Sequence, residues 1–184
     1  MRQTLVIHPG SRGDAVRHID IDVARPRPDA LTVRYTVSGD IGALRLPAVA
    51  TPARTDELWR TTCFEAFVRA PSEACYCEFN FAPSTEWAAY RFDGYRRGMA
   101  ALGEIDALRI DVQATDALLD VRVMLELGRL PDLAPDAPWQ LGLSAVIEET
   151  NGRKSYWALA HPPGKPDFHH PDCFALTLPA IGDS

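Results

Sequence analysis

The chain has 184 residues, 46% hydrophobic and 24% charged, which suits one compact domain over residues 1–184 burying roughly 70% of its unfolded surface. Its formal net charge is -6, from 25 acidic and 19 basic residues, and the arginines are scattered, so a nucleic-acid partner is not expected. The first apolar run, Leu5 to Ile7, is too short for a signal-peptide core, and no segment reaches the roughly 20 apolar residues that span a bilayer. The sequence therefore predicts a cytoplasmic protein with no membrane partner.

In chain order, the dominant period is two. HIDIDV places Ile19, Ile21 and Val23 on one face, and Leu31, Val33, Tyr35 and Val37 alternate with polar residues. Cys63 to Arg69, Cys75 to Phe81 and Trp87 to Phe92 are further strand candidates. They are followed by LRIDV at 108–112, Leu119 to Leu127, WQLGLSAVI at 139–147, Tyr156 to Leu159 and Phe174 to Leu178. Ser38-Gly39-Asp40 and Pro71-Ser72 punctuate these runs, and Asn151-Gly152 predicts a hairpin between two long strands. Only Gly94 to Leu102 could form a helical turn, and Gly98 weakens it. The expected fold class is all-β, an antiparallel β-sandwich of about ten or eleven strands.

Four cysteines, at 63, 75, 77 and 173, are expected to be reduced. The C-x-C spacing of Cys75 and Cys77 is that of a strand face in a core, not of zinc ligation. The same phase groups Tyr76, Glu78 and Asn80 on the opposite face, a carboxylate and an amide in line. Beyond Pro83-Ser84 come Trp87, Tyr90, Arg91 and Phe92. Rings with a carboxylate and an amide suit a sugar, whose C–H face stacks on aromatics while its hydroxyls meet polar groups. Glu65, set between Phe64 and Phe67, is a carboxylate that needs a partner such as Arg60, Arg91 or a ligand group.

Near the end runs ALAHPPGKPDFHHPDCF, residues 158–174, which holds three of the five histidines. His161, Asp167, His169, His170, Asp172 and Cys173 are suitable ligand types for zinc or iron. His161 and His169 are plausible haem imidazoles, with Met99 or Met124 as a thioether. The prolines also fit a stiff loop that caps the end of a sandwich. Glu65 and Glu78 could form a glycosidase pair only at a separation that sequence does not fix, and neither a nucleophile elbow nor H-E-x-x-H occurs. An enzyme is not expected.

The strings DELWRTTCFEAFV, EFNFAPSTEWAAYRFDGYRRGM and LSAVIEETNGRKSYWALAHPPGKPDFHHPDCFAL, between about Thr55 and Leu178, resemble the bacterial DOMON-like family. That family is related to family nine carbohydrate-binding modules and to haem-binding DOMON domains. The resemblance implies a sandwich with a ligand site on one sheet face or between the sheets. It maps Asp56, Glu57, Leu58 and Trp59 in the DELW block, Glu78, Phe79 and Asn80 in EFN, Ser84, Trp87, Tyr90 and Phe92 in the next block, and Tyr156, Trp157, His161, Pro166, Asp167, Phe168, His169 and His170 in the last. The expectation drawn from clustering and resemblance is a non-catalytic domain for a small ligand, a saccharide or polyhydroxylated metabolite. Trp87 and Trp157 would stack on it, Glu78, Asn80 and Arg91 would meet its hydroxyls, and His161, Asp167 and His169 would close the pocket, with Trp59, Glu65 and Tyr90 nearby. No cofactor is expected under this reading. A haem or metal site on the His161/His169 loop and a protein-interaction scaffold are the alternatives.

Overall fold

A computed structural model describes residues 1–181. Twelve strands form: β1 (Arg2–Ile7), β2 (Val16–Arg27), β3 (Ala30–Gly39), β4 (Cys63–Arg69), β5 (Tyr76–Phe81), β6 (Trp87–Phe92), β7 (Ala100–Ala101), β8 (Arg109–Ala114), β9 (Leu118–Glu126), β10 (Trp139–Glu148), β11 (Lys154–Ala158) and β12 (Leu176–Leu178). Each of the ten strand candidates becomes a strand, and β1 and β7 are additional. The hydrogen-bonded path is β7-β6-β5-β4-β10-β11-β1-β2-β3-β9-β8, with β12 paired to the start of β10.

This path doubles back at β1. Arg2 to Leu5 pair with β2, whereas Val6 and Ile7 pair with β11, so one strand belongs to both layers. The front sheet is β7-β6-β5-β4-β10-β11 and the back sheet is β2-β3-β9-β8. Between them lies the main core, in which Ile19, Ile21, Val33, Tyr35 and Val121 of the back sheet meet Phe64, Phe79, Leu143 and Ala145 of the front. Tyr35 crosses this core and its hydroxyl donates to the Glu65 carbonyl at 2.7 Å, tying the back sheet to β4. The fold is the all-β antiparallel sandwich that the alternation implies.

Two turns show how sequence sets the path. Asn151-Gly152 makes the β10–β11 hairpin, with Gly152 at φ 83° and its N–H donating to the Glu149 carbonyl. The expected helical turn at Gly94 to Leu102 is instead a tight β turn leading into β7. Arg96 and Gly98 both have positive φ, 52° and 66°, and the Asp93 carboxylate fills the space where a Gly98 Cβ would sit. At the β2–β3 edge, a Cβ on Gly39 would come within 2.0 Å of the Ala15 carbonyl oxygen. Gly39→Ala is therefore expected to cost about 1–3 kcal/mol, and an unchanged midpoint in thermal unfolding would contradict this packing.

Candidate ligand-binding site

The front sheet has a second apolar layer on its outer face. Alternation turns Phe64, Ala66, Val68, Cys77, Phe79 and Phe81 toward the back sheet. It turns Cys63, Phe67, Tyr76, Tyr90, Phe92, Val146 and Ala158 outward, where Leu58, Phe168 and Phe174 cover them. The polar residues Glu65, Glu78, Asn80 and Ser144 share that outward phase. Register places Glu65 opposite Asn80, and Glu78 opposite Phe67 on one side and Tyr90 on the other. Glu65 and Glu78 are thus diagonal neighbours across β4 and β5.

Three segments wall this face. They are the helical turn Leu58–Arg60, the turn from Asp93 to Met99, and the proline-rich loop from Leu159 to Phe174. They leave a cavity of about 380 Å³, with Glu65, Glu78 and His169 at its polar side, Arg96 beside them, and the rings of Trp59, Phe92, Tyr156 and Phe168 around it. That volume is in the range of small-molecule sites.

The two carboxylates are nearly inaccessible, Glu65 at 3% and Glu78 at 4% exposure. Ser144 Oγ donates to Glu65 Oε2 at 3.1 Å, and Asn80 Nδ2 donates to Glu78 Oε1 at 2.6 Å. Their other oxygens, Glu65 Oε1 and Glu78 Oε2, have no hydrogen-bond donor within the described residues. Burial raises the pKa of both, and for Glu65 the charge of Glu78 adds to it. Burial thus favours the protonated form of both groups, and a protonated carboxyl gives the site floor a donor beside its acceptors.

Beside them, Arg96 N–H donates to Tyr76 Oη at 3.2 Å, and Tyr76 Oη lies 2.7 Å from His169 Nδ1. A tyrosine that accepts from the backbone is free to donate its own proton to Nδ1, which leaves the imidazole proton on Nε2. Nε2 lies 3.7 Å from Glu78 Oε2. Burial, with the Arg96 charge, pushes His169 down to about 4, so the ring is neutral and acts as a fixed donor toward the floor. Asp167 holds Arg96 through Nε at 3.2 Å and Nη2 at 2.8 Å and also accepts from Tyr95. Burial opposes ionisation of Asp167, but these hydrogen bonds outweigh it and keep its pKa below the usual range.

Of the residues expected at the site, Trp59, Glu65, Glu78 and His169 line the cavity. Asn80 stands behind Glu78 as its donor. Tyr90 backs Trp59, edge to face at 5.8 Å, with its hydroxyl on Asp56. Asp167 braces Arg96 from the rim.

Four expectations are corrected. Trp87 and Trp157, 3% and 5% exposed, lie in the core between the sheets and cannot pinch a ligand. Their strand phase is that of Phe81 and Ala145, directly opposite them in the ladders. Arg91 shares the inward phase of Trp87 and ends in ion pairs with Glu104 and Asp132, so it neither reaches the cavity nor compensates Glu65. His161 turns to β1, its Nε2 at 2.8 Å from the Val6 carbonyl and its ring edge-on to His8. His161 and His169 therefore form no common clamp for haem or a metal. Among the described residues, no three of His, Cys, Asp and Glu come together as a metal site.

Arg96, Tyr156, Phe168, Tyr76 and Ser144 also build the site. Tyr76 and Tyr156 carried a signal in the sequence, since each alternates with a core residue, Cys77 and Trp157. Arg96 and Phe168 lie in turns, where no period marks them.

No protein-family model and no curated protein matches the chain. Among solved structures, the chain is similar to a provisionally assigned carbohydrate-binding protein from Bacteroides uniformis. The TM-score is 0.68 at 14% identity over 94% of this chain and 83% of that one. It is also similar to a family nine carbohydrate-binding module from Caldicellulosiruptor kristjanssonii solved with cellotriose. There the TM-score is 0.50 at 11% identity, over 87% of this chain and 74% of that one. At such identities the likeness is one of fold, an all-β sandwich like that of family nine carbohydrate-binding modules.

Proposed function

We propose that the protein is a non-catalytic binding domain, of the DOMON-like kind, for a small saccharide or similar polyhydroxylated metabolite. The observation that carries this reading is the cavity on the outer front sheet, where aromatic side chains wall a floor of Glu65, Glu78 and His169. Trp59 and Tyr156, both half-buried, offer ring surface to the C–H face of a sugar. The floor meets its hydroxyls with acceptor oxygens and the His169 Nε2–H. The cellotriose found on one structural neighbour supports the same ligand class.

Calorimetric titration with a panel of hexoses and short oligosaccharides tests this. Trp59→Ala is expected to weaken the best binder by about 1–3 kcal/mol, roughly 5- to 150-fold in Kd, with the unfolding midpoint nearly unchanged. Recovery of every sugar unaltered after incubation would accord with a non-catalytic role. Equal affinity in the wild type and Trp59→Ala would place the ligand elsewhere.

A further inference from the structure

Resting on the saccharide reading, we infer that the sugar taken by this cavity carries a free ammonium group, held between Glu65 and Glu78. The argument is one of charge pairing. Glu65, Glu78 and Asp167 contribute three acids to the site, and Arg96 is the one cation among the lining groups. Arg96 is already committed, since both of its hydrogen bonds to a carboxylate go to Asp167. The remaining neighbours supply no cation: His169 is neutral, Tyr76 donates to it, and Cys63 is directed at Asn80. Two carboxyl groups more than nine-tenths buried thus face the cavity with no cation bonded to either; the Arg96 charge favours their ionisation only from a distance, and buried charges are costly unless paired.

Each glutamate keeps one oxygen without a protein donor, and both line the same cavity as the indole of Trp59 and the phenol of Tyr156. An ammonium satisfies this set better than a hydroxyl does. It brings three donors for Glu65 Oε1, Glu78 Oε2 and a further acceptor, and its charge is attracted to aromatic faces. Its arrival also favours loss of a proton from the carboxyl pair, whose ionisation burial otherwise opposes. One proton leaves to solvent, and charge balances within the site.

The test is calorimetry at pH 7 with glucose, galactose and mannose, each as the parent hexose, the 2-amino sugar and the 2-acetamido sugar. Titrations run in two buffers of different ionisation enthalpy, so that proton release is counted. The expected result is an amino form bound about tenfold or more tighter than its parent and its acetamido form, with release of about one proton. Glu65→Gln and Glu78→Gln should each remove that preference, so that the amino and parent forms bind alike. Equal binding of parent and amino forms, or an amino preference that survives both substitutions, overturns the ammonium inference and leaves the saccharide reading standing. If the sugar panel, its oligosaccharides included, shows no binding, the saccharide reading itself fails, and this inference with it.

Discussion

Trp87→Ala should lose about 3–5 kcal/mol of stability, the range for emptying a fully packed aromatic site in a core. The ring lies in the layer between the sheets, and the guanidinium of Arg54 sits 4.4 Å from its centre. Its backbone also holds the 53–55 segment, donating to the Ala53 carbonyl and accepting from Thr55 N–H. Trp157→Ala is expected to behave alike, with the loss of the bond from its Nε1 to Ser155 Oγ at 2.9 Å. Denaturant titration separates this from a binding role. A large drop in midpoint at constant slope marks a core ring, whereas a native midpoint with lost sugar affinity would return Trp87 to the ligand. Trp59→Ala is the contrasting case, because its half-exposed ring lines the cavity.

Neutralising the carboxyl floor should stabilise the protein, and increasingly so as pH rises. Burial raises the folded-state pKa of Glu65 and Glu78, with mutual repulsion adding for Glu65. Below the ordinary glutamate range both states are protonated and the pair costs little. Above it the unfolded chain releases its protons while the folded chain retains them, so stability falls with pH until the folded pair also ionises. Glu65→Gln removes this loss and keeps an acceptor for Ser144. Between about pH 5 and pH 8 the variant should gain on the order of 2 kcal/mol over the wild type, roughly 5 °C in Tm. Parallel melting curves across that range would show that the site holds no raised carboxyl.

How much of this was legible in the sequence depends on what period two can carry. Alternation within one strand put Tyr76, Glu78 and Asn80 on one face and Cys77, Phe79 and Phe81 on the other, as the structure has them. It could not say how the phase of β6 or β11 aligns with that of β5. That alignment is set by the ladder, Phe81 opposite Trp87 and Ala145 opposite Trp157, and so by the geometry of the turns between those strands, which alternation within one strand does not carry. Hence Tyr90 and Tyr156, one residue removed from Arg91 and Trp157, occupy the outer face in their stead. The histidine loop misled for a related reason. His161 and His169 stand on either side of Phe168 and the prolines, and the chain's reversal there sends one ring to β1 and the other to Tyr76. β1 escaped notice because its single well-buried apolar residue, Leu5, gives no repeat to count.

That strand has a kinetic consequence. Because β1 changes partner halfway along, the two sheets meet at a junction whose halves are separated very differently in the chain: Thr4 finds Asp20 nearby, while Val6 must find Ala158. Loop-closure entropy makes the second pairing late and slow, as in other topologies rich in distant contacts. The β4–β5 hairpin bearing both glutamates can form locally, but β10 and the covering loop reach it only after most of the chain has been made. During synthesis, then, the acidic floor and its aromatic neighbours stand open to water, and two charged carboxylates on that face help keep the unfinished sheet from pairing with another chain.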